Sequence, residues 1–150
     1  MADMVLQTAT AAVGAFGFGL LFRVSGGRLV TILLGGAANW VFYLLAMYVY
    51  ADRVLAYFLA ALATAALAEV LSRFMKTPVI TLLVPMLIPL APGGDLYHTT
   101  FALVRGDVTA FTQYGGLVLR EAGAISFGII LVACVAQTAQ KIWRLSKSSG

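Results

Sequence analysis

Pro78-Val-Ile-Thr-Leu-Leu-Val-Pro85-Met-Leu-Ile-Pro89-Leu-Ala-Pro92-Gly93-Gly94-Asp95 contains all four prolines of the chain and no charge before its last residue. So apolar a run leaves water, yet it cannot be a regular helix. Each interior proline lacks an N–H and clashes with the carbonyl four residues back. The residue before each proline is pushed away from helical geometry. Gly93-Gly94 then lets the chain turn. Inside a bilayer, a carbonyl freed in this way must meet protein or a water-filled cavity. Broken apolar segments of this kind are how many transporters form a binding site at membrane depth. The spacing predicts a proline-broken or re-entrant element over 78–97. It is either one crossing over 78–104 made of two half-segments or a hairpin, and the sequence leaves both open.

Working outward, the composition is that of an integral membrane protein. Hydrophobic residues make up 61% of the 150 and charged residues only 11%, against about 25% charged in a soluble domain; the mean hydropathy is +0.95. Charge-free stretches cover 4–22, 29–51, 77–94 and 122–140, and 54–74 is broken only by Glu69 and Arg73. Each approaches the roughly 20 residues that cross a bilayer as helix. The expectation is an all-α membrane protein of about five transmembrane helices forming one transmembrane domain over 1–150. The start Met1-Ala-Asp3 lacks the basic residues of a signal peptide, so the first segment is read as a retained span. The single cysteine, Cys134, permits no internal disulfide.

The spans carry few polar groups. Ala11, Ala15 and Gly19 recur every four positions in the first, a stripe that permits close helix approach. Asn39 lies in the middle of the second and must face protein, where its amide finds partners. Tyr48 and Tyr50 suit an interfacial aromatic belt. On the third, Glu69 and Arg73 are four apart and can pair, with a proton- or substrate-linked role for Glu69 as the alternative. Asp95 is placed to cap a helix beginning after the Gly-Gly break. The last span falls within 110–141, with Arg120 and Glu121 near its start; adjacent residues do not share a helix face, so the two need separate partners. Arg23, Arg28, Arg73, Lys76, Lys141, Arg144 and Lys147 are expected on the cytoplasmic side. That places the N-terminus outside and the C-terminus inside, with Arg105 and Arg120 as exceptions.

The run Pro85-Met-Leu-Ile-Pro89-Leu90-Ala-Pro92-Gly93, followed by Tyr97, resembles the signature of the threonine/serine exporter (ThrE-type) family. Ala68-Glu69 with Arg73 upstream and Gly106-Asp107 downstream fit in place. Nearly the whole chain resembles the family's short, YjjB-like membrane subunit. The resemblance implies a two-part exporter in the bacterial inner membrane that works with a larger (YjjP-like) partner subunit. It implies threonine and serine as substrates, or succinate as in a split two-subunit type.

The residues expected to meet a small carboxylic or amino acid are Pro85, Pro89, Pro92, Gly93, Gly94, Asp95, Tyr97, His98, Asn39, Glu69 and Arg120. A half-helix beginning near Asp95 would turn its N–H groups toward a carboxylate, and carbonyls such as those of Leu87 and Ile88 would accept from an amino group. Arg120 is the cation a dicarboxylate would require. For His98, the only histidine, a structural or interfacial role stands beside a proton relay. No catalytic residue, metal site or cofactor is expected: Asp95 and His98 alone fall short of a metal ligand set, and no Gly-x-Ser-x-Gly elbow occurs. With no nucleotide-binding glycine loop, an ion gradient is the expected driving force. Basic residues at the segment ends orient a membrane protein and do not suggest nucleic acid. Small-residue stripes leave homo-oligomers open. The rival to an exporter subunit is a non-transporting chain that stabilises or regulates a partner.

Overall fold

The computed structural model describes the backbone of residues 2–148 and the side chains of residues 3–142. The described residues are helical with short connections: α1 (Ala2–Leu21), α2 (Gly27–Tyr50), α3 (Arg53–Phe74), α4 (Val79–Leu87), a 3-10 turn (Ile88–Leu90), α5 (Gly93–Arg105) and α6 (Val108–Ser148). Four helices are long and apolar enough to cross a membrane. A fifth span forms if Val79–Leu90 and Gly93–Arg105, which meet at 60°, count as one crossing. The 60° bend over 78–97 fits either of the two forms the sequence leaves open, a broken crossing or a re-entrant element.

Short side chains let the helices approach closely. Ala15 is fully buried, and a Cβ added at Gly36 of α2 would collide with the Ala15 side chain and lie 3.3 Å from the Ala11 carbonyl. Gly19 meets Leu29 and Ile32. The expected stripe of α1 is thus the antiparallel seam with α2, and Trp40 at its far end donates to Gln7 Oε1 at 3.3 Å. The alanines of α3 serve the same purpose. Ala56, Ala60, Ala61 and Ala68 are fully buried, and Gly128 of α6 would place a Cβ 2.9 Å from the Phe58 carbonyl.

Helices α3 and α6 run parallel, because their contacts advance together along both. Arg53 meets Glu121, the Phe58 and Phe127 rings lie 6.0 Å apart, and Gln140 donates to Glu69 Oε1. Helix α6 has 41 residues, or about 60 Å at 1.5 Å per residue, twice the roughly 30 Å of a hydrocarbon core. Its first dozen residues run past the start of α3 and pair with α5 in an antiparallel hairpin, in which His98 stacks on Tyr114 at 5.0 Å between ring centroids. The last span was expected within 110–141; the extra length is this projecting arm.

The connection between α1 and α2 carries Arg23, and α2 starts at Gly27-Arg28. Arg73 and Lys76 close α3 at the same end of the bundle, level with Gln140 and Lys141. Arg23, Arg28, Arg73, Lys76 and Lys141 therefore gather at one end, while Arg53 lies at the α2–α3 turn and Arg105 and Arg120 on the α5–α6 hairpin. The side chains of Arg144 and Lys147, part of the same expectation, lie outside the described residues. Glu69 pairs with Arg73 at 2.9 Å, as the four-residue spacing predicts.

The α1–α2 seam can be tested. Gly36→Val drives a branched side chain against backbone that cannot yield, a change that costs about 1–3 kcal/mol. Thermal unfolding of the purified protein in detergent is expected to shift down accordingly. Gly14→Ala, whose new methyl meets nothing within 4 Å, is expected to leave the midpoint unchanged or slightly raised, since alanine is the better helix former.

Candidate functional site

The break is assembled in three steps. Pro85 lies inside α4 and is buried; it has no N–H for the carbonyl four residues earlier. The chain then tightens into the 3-10 turn, where Ala91 N–H bonds the Ile88 carbonyl at 3.0 Å. Ala91 adopts an extended ψ of 135°, and Pro92 precedes the first turn of α5. Gly93 and Gly94 open that turn and are exposed.

Two carbonyls at the break, those of Met86 and Ile88, have partners. The Met86 carbonyl accepts from Asn39 Nδ2 at 2.9 Å, and Asn39 Oδ1 accepts from the Thr64 hydroxyl at 3.0 Å. All three residues are fully buried. Asn39 therefore faces protein, as its position in the span predicts, and it ties α2, α3 and α4 together at the break. The Ile88 carbonyl, expected to be free for a solute, is used within the 3-10 turn.

Beyond this network the outer side of the break borders a groove of about 340 Å³. Ile88 and Pro89 form one wall; Gln7, Thr10, Gly14 and Trp40 form much of the rest. Its lining is mostly apolar; its polar side chains are Gln7, whose Oε1 accepts from Trp40, and Thr10, whose hydroxyl donates to the Gln7 carbonyl. A small polar solute would find hydrogen-bonding partners there but no charge.

The charge lies on the other side of the break. Asp95 was expected to cap α5, but the helix begins two residues earlier with Pro92 in the cap position and no side-chain cap. The Asp95 carboxylate turns into the protein and binds Arg53 at 2.6 Å. The reason is electrostatic: a nearly buried carboxylate gains more from a guanidinium than from a solvated backbone N–H. The first turn of α5, the expected seat for a substrate carboxylate, therefore already holds one of the protein's own. Arg53 is also 3.0 Å from Glu121 Oε1. Asp52, just before it, caps α3 by accepting from the Leu55 N–H at 2.9 Å. Arg53 thus joins α3, α5 and α6 at the point where the hairpin leaves the bundle.

The other expected residues divide between these places. Pro85, Pro89 and Asn39 lie at the break, and Pro92 begins the turn into α5. Tyr97 and His98 are exposed on α5, with Tyr97 stacked on Phe101. Glu69 sits at the opposite end of the bundle with Arg73 and Gln140. Arg120 is exposed on α6, and the cation within reach of the buried carboxylates is Arg53. The expected site residues did not include Arg53, Glu121, Gln7, Thr10 or Thr64. For Glu121 the sequence did carry a signal: helix geometry denies it Arg120 as a partner, and the cation it meets is Arg53.

Removing the shared cation strands two carboxylates. Arg53→Gln is expected to lower the unfolding free energy in detergent by about 3 kcal/mol, the low end for breaking a buried pair, because the Arg53 side chain is 45% exposed. Asp95→Asn, which leaves Arg53 with Glu121, is expected to cost clearly less. Equal loss in the two variants would show that Arg53 does not hold Glu121.

No curated protein and no solved structure matches this chain. The family described as "Threonine/Serine exporter, ThrE" matches residues 7–135, a span that runs from the groove through the proline break and the Arg53 cluster into the second half of α6. The chain belongs to the threonine/serine exporter family.

Proposed function

We propose that this chain is the small membrane subunit of a two-component exporter of small amino or carboxylic acids, acting with a larger partner subunit and driven by an ion gradient. The observation that carries the reading is the bent span itself. A crossing interrupted by proline, bordered on one side by a groove with polar edges and on the other by an ion cluster, suits a solute path. A subunit that only packs has no use for such an interruption. Threonine and serine, each with a hydroxyl, an amino group and a carboxylate, match the mixed donors and acceptors around the break. Succinate is the rival substrate.

A partner chain has a surface to meet. The hairpin of α5 and early α6 leaves Leu96, Leu103, Val104, Val108 and Leu119 more than half exposed, apolar area that a projecting arm does not cover by itself. The same surface would also suit a chain that merely stabilises its partner. The gathering of basic residues at the end opposite the α2–α3 turn supports a cytoplasmic location for that end. The membrane is then the bacterial inner membrane, with the N-terminus outside and the C-terminus inside.

The test is efflux of threonine, serine and succinate from proteoliposomes holding this chain, the larger subunit, or both. Efflux is expected only with both. Thr10→Leu, which fills the groove beside Pro89, is expected to slow it at least about tenfold, equivalent to roughly 1.4 kcal/mol, at unchanged membrane expression. A helper subunit predicts that the partner alone transports and that Thr10→Leu changes nothing.

A further inference from the structure

Glu121 is the least explained polar group in the described part of the molecule. Its side chain is wholly buried, and neither carboxylate oxygen has a hydrogen bond. The 3.0 Å approach of Arg53 Nη2 is an ion contact without hydrogen-bond geometry, and the same nitrogen donates to Asp95 at 2.6 Å. A carboxylate sealed from water without a hydrogen bond is costly. One guanidinium shared by two carboxylates leaves the cluster one positive charge short. The remaining charge must be met by a small cation that can come and go, and a proton needs the least space.

Among the described residues the surroundings add one more carboxylate, Asp95, and no second cation. From α3 the titratable groups near Glu121 are Arg53 and, one turn on, buried Tyr57; from α5 it is Asp95; α2 contributes Tyr43 one ring further away, 5.0 Å from that of Tyr57. Asp52 is exposed and turned to the α3 cap, and Arg120 is exposed on another face of α6.

We infer that Glu121 is the group that binds and releases the coupling proton, and that its protonation decides whether Arg53 ties the bundle to the α5–α6 hairpin. The inference rests on the exporter reading for the meaning of coupling, though not for the titration. With Glu121 ionised, Arg53 of α3 holds Asp95 of α5 and Glu121 of α6 together. When Glu121 takes up a proton, its attraction for Arg53 falls away and Arg53 remains with Asp95 alone. The hairpin then has a second arrangement relative to α3, and loss of the proton restores the first. Such a two-state element is what a gradient can bias.

The chain has only two glutamates, Glu69 and Glu121. Full-length Glu69→Gln protein grown on carbon-13 glutamate and reconstituted in liposomes therefore isolates Glu121 in infrared spectra without altering it. An isotope-shifted protonated-carboxyl band that grows as pH falls from about 9 to 5, a range in which buried glutamates are known to titrate, is the expected result. Absence of that band throughout, or a band that never changes, overturns the inference.

Transport with the partner subunit gives the second arm. An imposed proton gradient is expected to speed threonine efflux by the wild type at least about tenfold, roughly 1.4 kcal/mol. Glu121→Gln is expected to lose that response and Glu121→Asp to recover part of it. A gradient response unchanged in Glu121→Gln defeats the inference and leaves the exporter reading standing. If the wild type moves no solute, the exporter reading falls while the infrared titration still decides whether Glu121 exchanges a proton.

Discussion

The hydrogen bond from Asn39 to the Met86 carbonyl is the contact that makes this fold possible. A span interrupted by proline carries backbone groups that its own helix cannot satisfy, and in hydrocarbon each would cost several kcal/mol. Here one carbonyl at the break, that of Met86, is met by a side chain from a neighbouring span, itself held by Thr64 of a third. Because all three residues are buried, no water competes for the bonds. The arrangement requires α2, α3 and α4 to lie within hydrogen-bond reach. That closeness in turn explains the small residues there: a larger side chain at Gly35, where a Cβ would collide with Met86, or at Ala60 would hold the helices apart.

Once the break is satisfied from within, its consequence is directional. The chain bends by 60° at Ala91–Pro92, and α5 leaves the bundle to pair with the early part of α6. Such a hairpin, joined to the rest by one break and one continuous helix, needs a clamp at its base. Arg53 is that clamp, and its position follows from local rules: Asp52 takes the α3 cap, so the next residue is free to turn toward Asp95 and Glu121.

The architecture was legible in the sequence because its signals are local. Proline spacing located the break, the mid-span position of Asn39 demanded a protein partner, and four-residue intervals exposed both the α1 seam and the Glu69–Arg73 pair. The ion cluster was not legible for the opposite reason. Arg53 and Asp95 are 42 positions apart, and Glu121 is more distant still. In sequence, moreover, Asp52-Arg53 looks like a turn with little net charge, and Arg120-Glu121, though its members need separate partners, does not say which. Helical geometry turns the members of each pair to different faces, so the charges that cancel on paper are divided between solvent and interior. The length of α6 escaped for a related reason: polar residues between 109 and 120 read as the outer limit of a span, whereas they continue the helix beyond it.

This division of adjacent charges bears on how a gradient could act. An exposed pair at a membrane surface is worth about 0–1 kcal/mol and could be made or broken with little effect elsewhere. Glu121 is instead sealed between α3 and α5, where the loss of one charge changes what holds two segments together. Under the proposed proton coupling, the break at Ala91–Pro92 would be the pivot, with the Asn39–Thr64 network holding the α4 half of the span. An arm that moves against a fixed half is what exposing a site to one side of a membrane at a time would require. In this chain the two halves are separated by the prolines and joined, on the charged side, through one arginine.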